Sequence, residues 1–124
     1  MKFHKKEAYG IRFTVIENGF LPPEGYSAMY LGCVFTRNFN ELTDNVMRHE
    51  AIHCLQSREL LYVGHIVLYL LEYVAKLCVC RKADVAYKSV STEQEAYVNS
   101  RNLNYRQERK RFAFAKYLFK MYKQ

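Results

Sequence analysis

The sequence predicts an α+β domain in which a short antiparallel β portion precedes three to four helices. Residues 1–40 contain four of the five glycines and both prolines, and they include two stretches rich in β-branched and aromatic residues. From residue 41 onwards the apolar residues recur at helical spacing. With 124 residues, half of them apolar, the chain can bury one hydrophobic core, so we expect a single domain over residues 1–124.

Two strands are predicted in the N-terminal portion. The first spans Tyr9–Ile16, where apolar and polar residues alternate. The second spans Ala28–Thr36, in which Gly32 indicates a bulge or a close approach of another backbone. The intervening residues 22–25, Pro-Pro-Glu-Gly, are typical of a turn.

The first helix has a clear start signal. Thr43 is a suitable N-cap, and Asp44 lies in the first turn, where the helix dipole favours an anion. We expect this helix to end near Glu59. A third helix is predicted to be capped by Ser91 or Thr92 and to end near residue 106.

The segment Leu60–Cys80, predicted as the second helix, is apolar and long enough to cross a bilayer. His65, Glu72 and Lys76 argue against a membrane span, because ionisable groups inside a membrane are costly. These residues recur with tyrosines every three or four positions, so a polar stripe runs along the helix. We expect a largely buried helix of a soluble domain, with peripheral membrane attachment as the alternative.

The formal net charge of +7 favours anionic partners, either nucleic acid or an acidic lipid surface. Basic and aromatic residues interleave in the last quarter of the chain, where residues 109–122 are predicted as a C-terminal helix. Its inward residues are predicted to be Phe112, Ala115, Leu118 and Phe119. Because no DNA- or RNA-binding signature accompanies this segment, we do not expect a nucleic-acid partner. The N-terminus lacks the pattern of a secretory signal and the four cysteines lack paired spacing, which favours a cytoplasmic location.

Residues 49–53 read His-Glu-Ala-Ile-His and match the HExxH pattern. On a helix His49 and His53 lie one turn apart on the same face, where both rings can bind one Zn²⁺. The adjacent Glu50 can activate a water molecule as general base. The pattern falls within the first predicted helix, which is the context it requires.

A catalytic zinc site needs a third protein ligand and an open fourth position. The third histidine of the metzincin pattern is absent, so we expect a glutamate. Glu72 and Glu93 are the main candidates. Glu72 is less favoured, because Lys76 one turn further on suits a solvated ion pair. Glu95 is a third candidate, although its place near a helix N-terminus is more typical of a solvated carboxylate.

The combination of HEAIH, a long apolar helix and EQEAY at residues 93–97 resembles gluzincins whose third ligand opens an E-x-x-A-D motif. These include the HtpX-type and CAAX-prenyl endopeptidases and, with an E-x-x-C-D form, the β-lactam-sensor peptidases. Residues 28–120 are also similar to a family of small bacterial zincin-like proteins that carry HEKIH and F-E-R-E-A-Y. Like the minigluzincins, the chain combines a short β portion with few helices.

This resemblance implies a zincin-like fold with HExxH on the first long helix and Glu93 as the third zinc ligand. Tyr97 stands where the larger gluzincins have an aspartate that orients a ligand histidine. Tyr97 and His65 are candidates for that role or for stabilising a transition state, as are Tyr69 and Tyr105. The resemblance also implies that the strand over residues 29–35 pairs with an extended peptide.

We therefore expect a zinc-dependent metallopeptidase that hydrolyses peptide bonds in a peptide or protein substrate, with Glu50 as general base. The alternative is a catalytically inactive zincin fold that serves as a basic interaction module at a membrane surface or on nucleic acid.

Overall fold

The computed structural model describes residues 1–22 and 26–121, so most of the predicted turn over residues 22–25 and the end of the predicted C-terminal helix lie outside the described residues. The chain begins with a hairpin of strands β1 (Lys2–Ala8) and β2 (Ile11–Glu17). Tyr9 and Gly10 join them, both with positive φ, which matches the twist of paired strands. The predicted first strand thus corresponds to β2, and β1 was missed because its charged residues show little apolar alternation.

The second predicted strand is two short strands, β3 (Met29–Tyr30) and β4 (Val34–Thr36). Gly32, at φ 82°, reverses the chain between them, in a conformation that glycine adopts easily. The strand order is β1-β2-β4-β3, and β2 pairs with β4 in parallel. The sheet is therefore mixed rather than purely antiparallel as predicted, and β3 forms one edge.

Five α-helices follow in the part of the chain that the structure describes, which confirms the α+β class. They are α1 (Asp44–Glu59), α2 (Val63–Cys80), α3 (Ala83–Ser89), α4 (Ser91–Asn99) and α5 (Tyr105–Glu108). Two 3-10 helices, Phe39–Glu41 and Ala113–Tyr117, flank this region.

Helix α1 has the predicted bounds and the predicted cap. The hydroxyl of Thr43 accepts a hydrogen bond from the Val46 N–H at 3.2 Å. One side of α1 packs on the sheet and buries Met47, Ala51 and Cys54. Because α4 and α5 cover another side, where Ile52 joins a small core cluster with Ala96 and Tyr105, α1 is buried on two faces.

Helix α2 is largely exposed, so the prediction of a largely buried helix is wrong. Its polar stripe faces the protein: Glu72 and Lys76 are buried and form an ion pair at 3.3 Å. Glu72 accepts hydrogen bonds from the backbone N–H and hydroxyl of Ser91, the first residue of α4. The stripe points inward because it supplies an acceptor to a buried helix N-terminus.

The C-terminal third departs most from the prediction. Helix α3 was not predicted, and α4 ends at Asn99 rather than near residue 106. The N-cap residue of α4 is Val90, which has no capping group, because Ser91 lies within the helix and bonds to Glu72 instead. In place of a C-terminal helix there is a short 3-10 helix that buries Phe114 and Tyr117, whereas Phe119 is 99% exposed. Phe112 and Ala115 are also exposed, so three of the four predicted inward residues face out.

Candidate metal centre

Helices α1 and α4 bring the three predicted metal ligands together. His49 and His53 are one turn apart on α1, and the neighbouring α4 contributes Glu93 from its first turn. The Nε2 atoms of the two rings are 3.2 Å apart. The carboxylate of Glu93 lies 3.3 Å from His49 Nε2 and 2.7 Å from His53 Nε2. Glu93 and His53 are buried, so the three groups converge on one shielded point.

The spacing and the chemistry of these donors fit a divalent ion. In a tetrahedral zinc site with bonds of about 2.0–2.1 Å, ligand atoms lie about 3.3 Å from one another. Two of the three separations here are 3.2 and 3.3 Å. The third separation, 2.7 Å between His53 and Glu93, is typical of a direct hydrogen bond. These two atoms would have to move apart by about half an ångström to bind an ion between them.

Glu50, which follows His49 in the sequence, is a further unusual feature beside the cluster. Its Oε2 atom is buried and, among the described residues, no hydrogen-bond partner reaches it. Burial raises the pKa of this carboxyl, although the charges of His53 and His49 oppose the shift. A buried polar atom without a partner costs about 1–3 kcal/mol, so it usually marks a site that takes a ligand or a water molecule.

In the metal-free protein a proton takes the place of the cation between His53 and Glu93. Burial lowers the pKa of His53, but the charge and hydrogen bond of Glu93 outweigh this and raise it to about 10. Burial also raises the pKa of Glu93, yet the charge of His53 and the hydrogen bonds from both rings hold it below its ordinary value. The site therefore holds a buried imidazolium–carboxylate pair when no metal is bound.

This pairing predicts that zinc affinity rises with pH. Since His53 must lose its proton to bind a metal, each zinc bound near neutral pH should release about one proton. The logarithm of the affinity should rise by about one for each pH unit up to about pH 10. Calorimetry in buffers of different ionisation enthalpy measures the released protons. If the zinc affinity stays the same between about pH 6 and pH 9 at fixed ionic strength, the proposed imidazolium–carboxylate pair is contradicted.

Gln56 holds the His53 ring in a metal-binding orientation. The amide oxygen of Gln56 lies 2.8 Å from His53 Nδ1. Its amide nitrogen donates to the carbonyl of Thr92 and to Glu95, each at 3.0 Å, which determines which end of the amide faces the ring. His53 Nδ1 must then carry the proton in the neutral ring, which leaves the Nε2 lone pair for a metal.

We expect Gln56→Leu to lower zinc affinity about 10–100-fold, because the ligand ring loses its orienting acceptor. The variant should also be less stable, since the carbonyl of Thr92 loses a buried donor. Competition with a fluorescent chelator measures the affinity. Gln107→Leu, at an exposed position, is the matched control and should bind zinc as the parent does. Equal affinities for the two variants would refute the orienting role.

Glu95 is part of a buried ion network behind Gln56, which corrects its assignment as a solvated carboxylate. Its side chain is fully buried and accepts hydrogen bonds from Arg109 at 2.6 Å and from the Tyr105 hydroxyl at 2.8 Å. Arg109 also contacts Glu59 at 2.8 Å. Glu95 and Tyr105 therefore support the site from behind, rather than acting as a metal ligand and a transition-state donor.

Removing Arg109 should strongly destabilise the fold. In Arg109→Met the buried carboxylate of Glu95 and the partly buried carboxylate of Glu59 lose their cation, and breaking a buried pair costs about 3–5 kcal/mol. Adding Glu95→Gln to this variant should recover part of the loss, because it removes one unpaired charge. Chemical denaturation gives the free energies of unfolding, with Arg101→Met at an exposed position as control. A loss below about 1 kcal/mol would show that solvent reaches the network.

The cluster lies at the wall of a cavity of about 570 Å³. Edge strand β3 and the flanking residues 28 and 31 form one side of it, and α2 forms another. His65 lines the cavity from α2, its ring 5.7 Å from that of His53, and its Nδ1 lies 2.7 Å from the Ser57 hydroxyl. Burial lowers the pKa of His65 to about 4, so its ring is neutral at physiological pH.

Three tyrosines surround the carboxylate of Glu93. Tyr69 and Tyr87 line the cavity, and Tyr97 packs its ring against that of His49 with 4.5 Å between centroids. Burial and the charge of Glu93 raise the pKa of all three, so the phenols remain protonated donors. Tyr87 was missed in the sequence because α3 itself was not predicted.

Glu72, the other main candidate for the third ligand, lies elsewhere. Its carboxylate is engaged by Ser91 and Lys76, whereas that of Glu93 lies beside the two histidines.

No protein-family model, curated protein or solved structure matches this chain. The resemblance to gluzincins therefore rests on the motifs alone and stays a prediction.

Proposed function

We propose that this protein is a zinc-dependent metallopeptidase with the metal held by His49, His53 and Glu93. The observation that carries the proposal is the position of Glu50, whose buried Oε2 lacks a partner among the described residues beside the three converging donors. A purely structural histidine pair would not need an adjacent unsatisfied carboxylate. The proposal explains both the convergence of the donors and the cost of burying Glu50.

Each group around the cavity has a distinct part in this proposal. A divalent ion would act as Lewis acid, polarising the substrate carbonyl and lowering the pKa of water. Glu50 takes the proton from the attacking water and passes it to the leaving amine. Its raised pKa makes the ionised carboxylate a stronger base. The neutral ring of His65 and the phenol of Tyr69 are the candidate donors to the negative charge that develops on the carbonyl oxygen.

Edge strand β3 supports a peptide as substrate. It lies at one edge of the sheet, and Met29 and Tyr30 line the same cavity as Glu50 and His53. The free edge of a short strand can pair with an extended peptide by main-chain hydrogen bonds. A peptide added there would run past the proposed ion.

Metal analysis and a peptide library test the proposal together. The protein purified without added zinc, or reconstituted with it, should contain about one zinc per chain and should cleave members of a broad library of quenched fluorescent peptides. Chelation should stop cleavage, and added zinc should restore it. Stoichiometric zinc without any cleavage would refute the peptidase and favour the catalytically inactive module instead. A protein that binds no zinc at all would refute the metal site.

A further inference from the structure

Helix α2 presents an apolar face to the outside of the protein. By length and composition it could cross a membrane, yet only 11% of its 18 residues are buried. A core helix of similar hydropathy would be mostly buried. The large apolar residues of this face are 48–74% exposed and comprise Val63, Ile66, Val67, Leu70, Leu71, Val74 and Val79. A continuous apolar surface of this kind marks a site of contact with another apolar body.

The opposite side of α2 excludes a membrane-spanning arrangement of this fold. Lys76 donates to the carbonyls of Ser89 and Tyr117, and Glu72 holds the N-terminus of α4. A spanning helix would have to break these contacts and place both charges in lipid. With these contacts in place the helix offers a single face, which suits a position in the plane of a membrane surface.

The charges around α2 favour an anionic bilayer as the partner of this apolar face. Exposed cations flank α2 in the sequence: Arg58 lies in the last turn of α1, and Arg81 and Lys82 follow Cys80. Between residues 60 and 83 the single acid, Glu72, is buried. A second copy of this chain would bring a further net charge of +7 towards the first. Anionic headgroups would instead meet these cations while the aliphatic side chains enter the acyl boundary.

We propose that α2 docks the protein on anionic membranes, lying in the interface plane with Leu71 and Val74 inserted. Ile66 and Leu70 belong both to this face and to the lining of the cavity. The cavity therefore opens beside the lipid surface. If the proposed peptidase activity holds, its substrates are peptide segments at the membrane surface. The docking itself does not require a metal.

Vesicle co-sedimentation tests the docking, with vesicles of phosphatidylcholine alone and of phosphatidylcholine with phosphatidylserine. The parent should bind the mixed vesicles, and the double variant Leu71→Glu/Val74→Glu should bind at least about tenfold more weakly. Leu103→Glu, at a residue that is 70% exposed away from α2, is the matched control and should bind within about twofold of the parent. Arg58→Gln/Lys82→Gln should lose about fivefold for each charge removed.

Three results would overturn the proposal: no binding of the parent to mixed vesicles, equal losses in the α2 and Leu103 variants, or a stable parent dimer that the α2 variant dissociates. The last would assign the face to a second copy, and light scattering detects it. Because both substituted α2 residues point to solvent, circular dichroism should show parent-like folding. These variants lie outside the proposed metal site, so docking can fail while zinc binding persists.

Discussion

Glu50→Gln is expected to remove peptide hydrolysis while leaving zinc binding almost unchanged. Glutamine keeps the shape of the side chain but cannot accept the proton of the attacking water, and loss of a general base typically lowers kcat about a hundred- to ten-thousandfold. The three proposed ligands remain in place because Glu50 is not one of them. Initial rates on the best peptide of the library, together with zinc titration, measure both effects.

The same variant should be more stable than the parent in the metal-free state. Burial raises the pKa of Glu50, so its ionised form is disfavoured in the folded protein and stability falls as pH rises above the ordinary pKa of a glutamate. Glutamine removes this penalty at neutral pH, and Tm should rise. Glu41→Gln, at an exposed position, is the control and should change neither the rate nor Tm. Parent-like hydrolysis by Glu50→Gln would show that another group takes the proton.

Glu93→Gln is expected to lower zinc affinity about a thousandfold. The binding free energy of zinc at structural sites is about 10–16 kcal/mol, and several ligands contribute to it. Loss of one charged ligand should therefore remove about 4 kcal/mol. In the metal-free protein the change also leaves the buried imidazolium of His53 without its partner, at a cost of about 3–5 kcal/mol. Zinc titration and chemical denaturation separate the two effects.

Because Glu93→Gln could unfold the protein, His49→Ala provides a second test of the ligand set. His49 is the more exposed of the two rings and its contact with Glu93 is longer, at 3.3 Å, so its loss should cost less stability. Zinc affinity should nevertheless fall by a similar factor. If a folded His49→Ala protein binds zinc as tightly as the parent, the ion is held elsewhere.

Helix α1 and its histidine pair could be predicted from the sequence because they depend on local interactions. The Thr43 cap, the helical spacing of apolar residues and the HExxH pattern all lie within one segment, and the structure gives the helix its predicted bounds. The choice of Glu93 over Glu72 came mainly from the resemblance, and the position of Lys76 one turn beyond Glu72 supported it only weakly. In the structure the convergence of Glu93 with the histidines depends on the packing of α4 against α1.

The network behind the site could not be predicted because its members are distant in sequence. Gln56 was not among the predicted site residues, yet it contacts His53 and Glu95. The partner of Glu95, Arg109, comes from the start of the segment that was predicted as a basic, aromatic C-terminal helix. The sequence does not show whether a carboxylate will be buried together with a cation from a distant element.

The orientation of α2 shows a further limit of hydropathy patterns. The pattern correctly separates a polar stripe from an apolar face, but it does not tell which of the two packs on the protein. Here Glu72 and Lys76 satisfy buried backbone groups of neighbouring elements, and the apolar face is left outside.

An anomalous difference map at the zinc absorption edge tests the central claim most directly. Crystals grown with zinc should show one strong peak, bounded by the Nε2 atoms of His49 and His53 and by the carboxylate of Glu93 at about 2.0–2.1 Å. No peak after a zinc soak, or a peak away from these three side chains, would contradict the account.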